Sequence, residues 1–204
     1  MSPSFLRINP GHSNDADHPA TKFRYLLKST APDDRLQKAA RDGKLKAFAK
    51  VRAELQRCFD QQEVDEFLRE FPQAWLRLDR INFMASDAAR FREYDRKRFS
   101  GGMVNGVLHF FRQAVHNNIP VPEFLSADYS LLNADLGKVY DADVVPQVFS
   151  LRKYTFTGGR RNKFLGMGAS LTSTADSLGT SPIHRAISVM ENLMGIHPSS
   201  PPPD

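Results

Sequence analysis

Acidic side chains are the first residues in this sequence whose type could do chemistry, because two facing carboxylates can act as acid and base in glycoside hydrolysis. Sequence does not show which acidic residues face one another, so this chemistry is one alternative among several. The candidates are Asp128, Asp135, Asp176 and Glu191. Asp128 lies close to Tyr129 and Asn133, and these residue types more often stabilise a turn through local hydrogen bonds than perform catalysis.

Histidines and arginines offer two further ligand sites. His109 and His116 share one face of a predicted helix, but seven residues separate them by about 10.5 Å along the axis, too far to bind one metal ion. They are therefore interpreted as exposed polar residues, and we predict no metal site. Residues 158–161 combine two glycines with Arg160 and Arg161, and such a turn could bind an anion through backbone N–H groups and guanidinium groups.

Composition describes an ordinary globular protein of 204 residues, with 41% hydrophobic and 25% charged residues and a formal net charge of +5. Basic and acidic residues are interspersed, which does not favour nucleic-acid binding. No apolar run is long enough for a membrane span and no secretion signal follows Met1, so a soluble chain is expected. Because Cys58 is the single cysteine, there is no disulfide within the chain and no C-x-x-C-H for haem, and we expect no cofactor.

Apolar residues at helical spacing dominate the chain and predict a mainly α fold. The clearest helix covers residues 64–78, where Pro72 should kink or divide it. Another covers Met103–Asn117, with Gly101 and Gly102 as a break before it. The predicted architecture is an irregular helical bundle with a short loop or strand segment near residues 141–162.

The predicted organisation has four parts. An irregular lead-in at residues 1–21 precedes a helical module at residues 22–140. A smaller C-terminal helical module at residues 141–197 packs on the first one, and a proline-rich tail at residues 198–204 ends the chain.

Residues 180–195 are predicted to form one capped helix. Ser181 can cap it, Pro182 suits its first turn, and Gly195 suits the left-handed residue that ends it. Its predicted apolar face consists of Ile183, Ile187, Met190, Leu193 and Met194.

Polar residues of the same helix are expected to hold it against neighbouring loops, because buried charges need partners. These are Arg185, Glu191 and Asn192. The complete set of residues singled out as a structural motif is Asp128, Tyr129, Asn133, Thr180, Ser181, Pro182, Arg185, Glu191 and Asn192.

Several segments of the chain resemble segments of a known family and occur in the same order. Residues 180–195 resemble the pattern TSP-x-x-R-x-x-x-V-L-E-N-L-L-G followed by prolines. Residues 20–34 (ATKFRYLLKSTAPDD) resemble ASRLSYFLWSSLPDD, and residues 128–140 resemble ADYTFLNERLARHYG. The chain thereby resembles the planctomycete-type, cytochrome-c-associated domains of unknown function over nearly its whole length. It departs from that pattern at Ala134, Val139 and Ala186.

This resemblance implies a non-catalytic helical scaffold or interaction module of a larger extracytoplasmic protein. The implied partners are other domains of that protein or a c-type cytochrome, and haem would be carried by a separate domain. The resemblance also implies that the chain is the C-terminal part of a longer architecture or a truncated reading frame. The alternative is a fragment of an enzyme acting on complex polysaccharide, and a weak anion or nucleic-acid binder is a third interpretation.

Overall fold

The computed structural model describes residues 27, 34–44, 48–60, 64–83, 89, 96–142, 150–157, 164–176 and 179–199. The predictions for residues 1–21, for Arg160 and Arg161, and for the final prolines lie outside the described residues. The described part of the chain is mainly helical, which confirms the predicted fold class. No helix in that part is both long enough and apolar enough to cross a membrane.

The chain divides into two compact units, Met1–Glu70 and Phe71–Asp204. The first unit contains helices α1 (Asp34–Arg41) and α2 (Phe48–Asp60) and most of α3 (Asp65–Trp75). The boundary near residue 141 between two sequence modules stays a prediction.

Glu54 of α2 is a buried carboxylate that forms ion pairs with two arginines of the first unit. Its carboxylate is buried and lies 2.6 Å from the guanidinium of Arg57 and 3.1 Å from that of Arg35 on α1. A buried carboxylate needs such partners because it has lost its hydration. Cys58, on the same helix, is fully buried, as expected for a structural thiol.

Pro72 is predicted to kink or divide its helix, and of these two outcomes the division is wrong, because α3 continues through the proline. A proline removes only its own N–H from the hydrogen-bond ladder, and the ring of Pro72 is buried. The ladder resumes at once, because the N–H of Leu76 donates to the carbonyl of Pro72 at 3.0 Å. The chain then turns at residues 76–79, where Arg77 has a positive φ of 50°, and enters the short helix α4 (Arg80–Phe83).

The second unit is built around the long helix α5 (Arg96–His116). The elements that follow it are α6 (Val121–Ser126), β1 (Tyr129–Leu132), α7 (Ala134–Val139), β2 (Arg152–Thr155), a 3₁₀ turn (Phe164–Gly166), α8 (Gly168–Ser173), α9 (Pro182–Ser188) and a π-helical turn (Val189–Leu193).

Strands β1 and β2 form an antiparallel pair in which Tyr129 lies opposite Thr155 and Leu132 opposite Arg152. The strand expected within residues 141–162 therefore exists, as β2. Its partner was not predicted, because β1 occupies residues that suggested only a turn. Leu131 and Leu132 of β1 are both buried, so the pairing is stabilised by core packing as well as by its backbone hydrogen bonds.

Helix α5 begins at Arg96, so the predicted break at Gly101 and Gly102 is wrong. A Cβ on Gly102 would lie 3.4 Å from the side chain of Leu136 on α7, and one on Gly106 would lie 3.1 Å from the carbonyl oxygen of Leu131. These glycines let the helix approach α7 and β1 closely. The packing gained there offsets the low helix propensity of glycine.

Rings from several elements meet in the core of this unit. Phe164 is fully buried, and its ring centroid lies 4.6 Å from that of Phe124, 5.7 Å from that of Trp75 and 6.4 Å from that of Phe110. Aromatic pairs at these distances add to the burial of apolar area. The 3₁₀ turn is thereby joined to α3, α5 and α6.

We expect Gly168→Ala to destabilise the protein by about 1–3 kcal/mol, because a Cβ there would lie 2.8 Å from the hydroxyl of Tyr140 and 3.3 Å from Met103. Gly101→Ala is the matched control: it adds the same methyl group to a helical glycine with nothing within 4 Å, and should stabilise the protein by about 0.5–1 kcal/mol. Urea unfolding followed by circular dichroism measures both. Equal effects of the two substitutions would contradict the close approach at Gly168.

Candidate functional site

The C-terminal helical segment begins as the sequence predicts. Ser181 is the N-cap of α9, and its hydroxyl oxygen accepts a hydrogen bond of 3.3 Å from the N–H of His184. Pro182 occupies the first helical position, where no backbone N–H is needed. Thr180 precedes the cap and is exposed.

Beyond Ser188 the segment changes from an α-helix to a π-helix. The N–H of Met194 donates to the carbonyl of Val189 at 3.1 Å, a bond that spans five residues instead of four. Gly195 then ends the helix with a φ of 67°, as predicted for a left-handed terminal residue. Single π turns are rare and are often found at functional sites.

The predicted apolar face of this segment is wrong at both ends. Ile183 is 71% exposed and Met194 is 61% exposed, whereas Ile187, Met190 and Leu193 are half-buried. The extra residue of the π turn rotates the following residues about the helix axis, which takes Met194 off the inner face. Ile183 lies in the first turn, which is exposed from Pro182 to His184.

Trp75 attaches this segment to the aromatic core. Its indole N–H donates a hydrogen bond to the backbone carbonyl of Asn192. The ring is half-buried and stacks at 5.7 Å on both Phe71 and Phe164. Because a buried indole N–H needs an acceptor, this bond holds the π turn beside the end of α3.

Glu191 extends from the π turn to two basic residues. Its carboxylate lies 3.5 Å from the guanidinium of Arg77 and 3.9 Å from Nδ1 of His197. Asn192 forms a second contact within the segment, since its side-chain amide donates to the hydroxyl of Ser188 at 3.1 Å. The ion pair with Arg77 places Glu191 on the side of the segment that faces the turn at residues 76–79.

A cleft of about 130 Å³ with both polar and apolar walls lies between this turn, the end of α8 and the C-terminal segment. We call it the tail cleft. Its polar walls include two arginines, a histidine, one carboxylate and a serine, and Ser173 and Thr174 of the α8 end complete one side. The two arginines are Arg77 and Arg80, and the other three polar residues are His184, Glu191 and Ser188.

Arg185 faces a second, smaller and mostly apolar hollow, which shares Leu76, Ser173, Thr174, Ser188 and Asn192 with the tail cleft. The Nε of Arg185 is buried, and no hydrogen-bond acceptor for it is found among the described residues. A buried donor without an acceptor costs about 1–3 kcal/mol, so an acceptor that entered this hollow would be stabilised.

Asp128, Tyr129 and Asn133 lie along β1 and its ends. Asn133 is the N-cap of α7, with its side-chain oxygen accepting from the N–H of Leu136 at 2.9 Å. Burial raises the pKa of Tyr129, and the negative charge of Asp128 raises it further. The phenol is therefore neutral at physiological pH, and the ammonium of Lys153 lies 4.0 Å from the centre of its ring.

The structure thus brings together only part of the predicted motif. Arg185, Glu191 and Asn192 line the tail cleft or the hollow beside it, whereas Asp128 and Asn133 are not among the lining residues of either. Sequence reasoning missed Arg77 and Arg80, which lie in a turn and a short helix without a recognisable motif. It also missed that Trp75 attaches the C-terminal segment to the core. Trp75 is the single tryptophan of the chain, and this could have marked it as a residue with a specific structural role.

Within the described ranges, no group of three acidic, cysteine or histidine residues is arranged to hold a metal ion.

We expect Asn133→Ala to lower the free energy of unfolding by about 1 kcal/mol, because the backbone N–H of Leu136 in the first turn of α7 loses its acceptor. Asn133→Asp should retain most of the stability, since a carboxylate oxygen can accept the same bond. Asn105→Ala on the exposed face of α5 is the control and should be neutral or slightly stabilising. A neutral Asn133→Ala in urea unfolding would contradict the capping role.

Comparison with known proteins agrees with one part of the resemblance. A family model described as PSD4, protein of unknown function (DUF1592), matches residues 15–142. The matched range includes the segments at residues 20–34 and 128–140 that suggested a family of unknown function. Neither the curated proteins nor the solved structures give a significant match. Since the family model matches more than half of the chain, this protein belongs to the DUF1592 family of proteins of unknown function.

Proposed function

We propose that this chain is a helical scaffold or interaction module of a larger extracytoplasmic protein, and that its C-terminal segment contacts a c-type cytochrome domain. The observation that carries the proposal is the exposure of large apolar side chains along that segment. Ile183 and Met194 are mostly exposed, and Ile196 follows Met194 as a further exposed residue. The choice of a cytochrome domain as partner rests on the resemblance to cytochrome-c-associated proteins.

The polar motif residues support a structural role for their own part of the chain. Asn133 and Ser181 each cap a helix, and the backbone carbonyl of Asn192 accepts the indole N–H of Trp75. The bonds of Ser181 and Asn192 hold the C-terminal segment in place while its outer apolar side chains remain accessible. A rigid, pre-positioned helix loses less conformational entropy on binding than a flexible segment does.

Charge favours an acidic partner surface. The chain has a formal net charge of +5, and interfaces are usually complementary in electrostatic potential. We therefore expect the cytochrome surface that docks here to present an apolar patch with an acidic rim.

The alternative, an enzyme acting on complex polysaccharide, requires two carboxylates about 5 to 10 Å apart in an open groove. Among the described residues that line the tail cleft, Glu191 is the one carboxylate, and Arg77 and His197 lie beside it. An ion-paired single carboxylate fits a positioning role better than acid–base chemistry. The interaction module is accordingly the function that the geometry supports best.

We expect Ile183→Asp and Met194→Asp each to weaken binding of a c-type cytochrome domain at least about tenfold, because each places a charge in an apolar contact. The measurement is isothermal titration calorimetry with the cytochrome domain of a family relative. Val121→Asp is the matched control, since Val121 is 68% exposed and lies on α6.

Circular dichroism of every variant verifies that the fold is intact. The proposal is supported if the wild type binds the cytochrome domain and only the two variants of the C-terminal segment weaken this binding. It is overturned if the wild type does not bind the cytochrome domain, or if Val121→Asp weakens binding as much as Ile183→Asp.

A further inference from the structure

We propose that the tail cleft binds a compact oxyanion, a carboxylate or phosphate group, through Arg77, Arg80 and the hydroxyl of Ser188. The site is separate from the outer apolar side chains discussed above, and the inference does not rest on the proposed cytochrome contact. It also differs from the anion turn expected at Arg160 and Arg161.

The arginines give the tail cleft an excess of positive charge. Arg77 and Arg80 line it together with a single carboxylate, that of Glu191. The guanidinium of Arg77 lies 3.5 Å from the carboxylate of Glu191 and forms an ion pair with it. No carboxylate among the described residues forms an ion pair with Arg80. Arg80 is also partly buried, so its guanidinium has less access to water than a fully exposed one. A guanidinium in this condition binds a carboxylate or phosphate through paired N–H groups.

The hydroxyl groups of the cleft differ in what they can offer a ligand. Those of Ser173 and Thr174 both donate to the backbone carbonyl of Ser170, at 3.2 and 2.8 Å, and are occupied. The hydroxyl oxygen of Ser188 instead accepts a hydrogen bond from the amide of Asn192. Its own hydrogen remains free to donate, because a hydroxyl can accept and donate at the same time. Ser188 is therefore the neutral donor that accompanies the two arginines.

The size of the cleft limits the ligand to a small group. Its volume of about 130 Å³ is well above the roughly 10–15 Å³ that holds one water molecule. A ligand of several heavy atoms fits this space. The π turn forms one wall, since Glu191 and Asn192 both belong to it, and π turns are frequent at functional sites.

Glu191 makes the proposal testable by a gain of affinity. Its carboxylate competes with an incoming oxyanion for Arg77 and repels it through like charge. Glu191→Gln removes the charge and keeps the shape of the side chain. A gain of affinity in this variant cannot be produced by misfolding.

Trp75 supplies the readout. It is the single tryptophan of the chain, and its indole N–H is bonded to the carbonyl of Asn192 in the wall of the cleft. An oxyanion that displaces the π turn slightly should change the fluorescence of this indole. Isothermal titration calorimetry of the same samples measures binding without relying on that displacement.

The experiment titrates the full chain with sodium phosphate and, separately, with sodium acetate, at constant ionic strength maintained with chloride. We expect saturable binding of at least one anion, a loss of at least about tenfold in Arg80→Gln, and a gain of about threefold or more in Glu191→Gln. Arg69→Gln is the control, because Arg69 is an exposed arginine of the first unit beside Glu66 and Glu70.

Saturation by acetate alone identifies a carboxylate ligand, and saturation by phosphate alone identifies a phosphate ligand. Both results support the proposal if the variants behave as expected. It is overturned if neither anion saturates by calorimetry, if Arg69→Gln weakens binding as much as Arg80→Gln, or if Glu191→Gln leaves the affinity unchanged.

Discussion

The packing of Phe164 against Trp75 is the interaction on which the C-terminal half of the molecule depends. Phe164 is fully buried between rings of α3, α5 and α6, and it positions the indole of Trp75 by stacking. A half-buried indole must find an acceptor for its N–H, and the acceptor is the carbonyl of Asn192. One apolar contact in the core thus determines where the π turn lies, and with it the tail cleft.

Close approach of backbones is the second constraint in this unit. Gly102 and Gly106 allow α5 to lie against α7 and β1, and Gly168 allows the start of α8 to lie against Tyr140. In each case the missing side chain is replaced by a packed neighbour. The same residues that lower helix propensity locally therefore make the tertiary packing dense, and the gain in packing decides the outcome.

The tail cleft and the exposed apolar side chains lie on the same C-terminal segment but use different residues of it. The cleft uses the inner, polar side of the π turn, whereas Ile183 and Met194 lie outside the packed face. Membership of the DUF1592 family does not assign a role to either feature. The arrangement separates a site for a small charged group from a surface for an apolar partner, so the two functions can be tested independently.

Local signals in the sequence determined much of the fold. The mainly helical class, the cap at Ser181 and the helix end at Gly195 depend on short-range hydrogen bonds and backbone preferences, which neighbouring residues specify. Only the tertiary structure decided that α5 continues through its glycines, that β1 pairs with β2, and that a π turn exposes Met194. It also decided that Arg77 and Arg80 join Glu191 in one cleft. These outcomes depend on residues far apart in the chain, whose packing outweighs local propensity and leaves no periodic signal in the sequence.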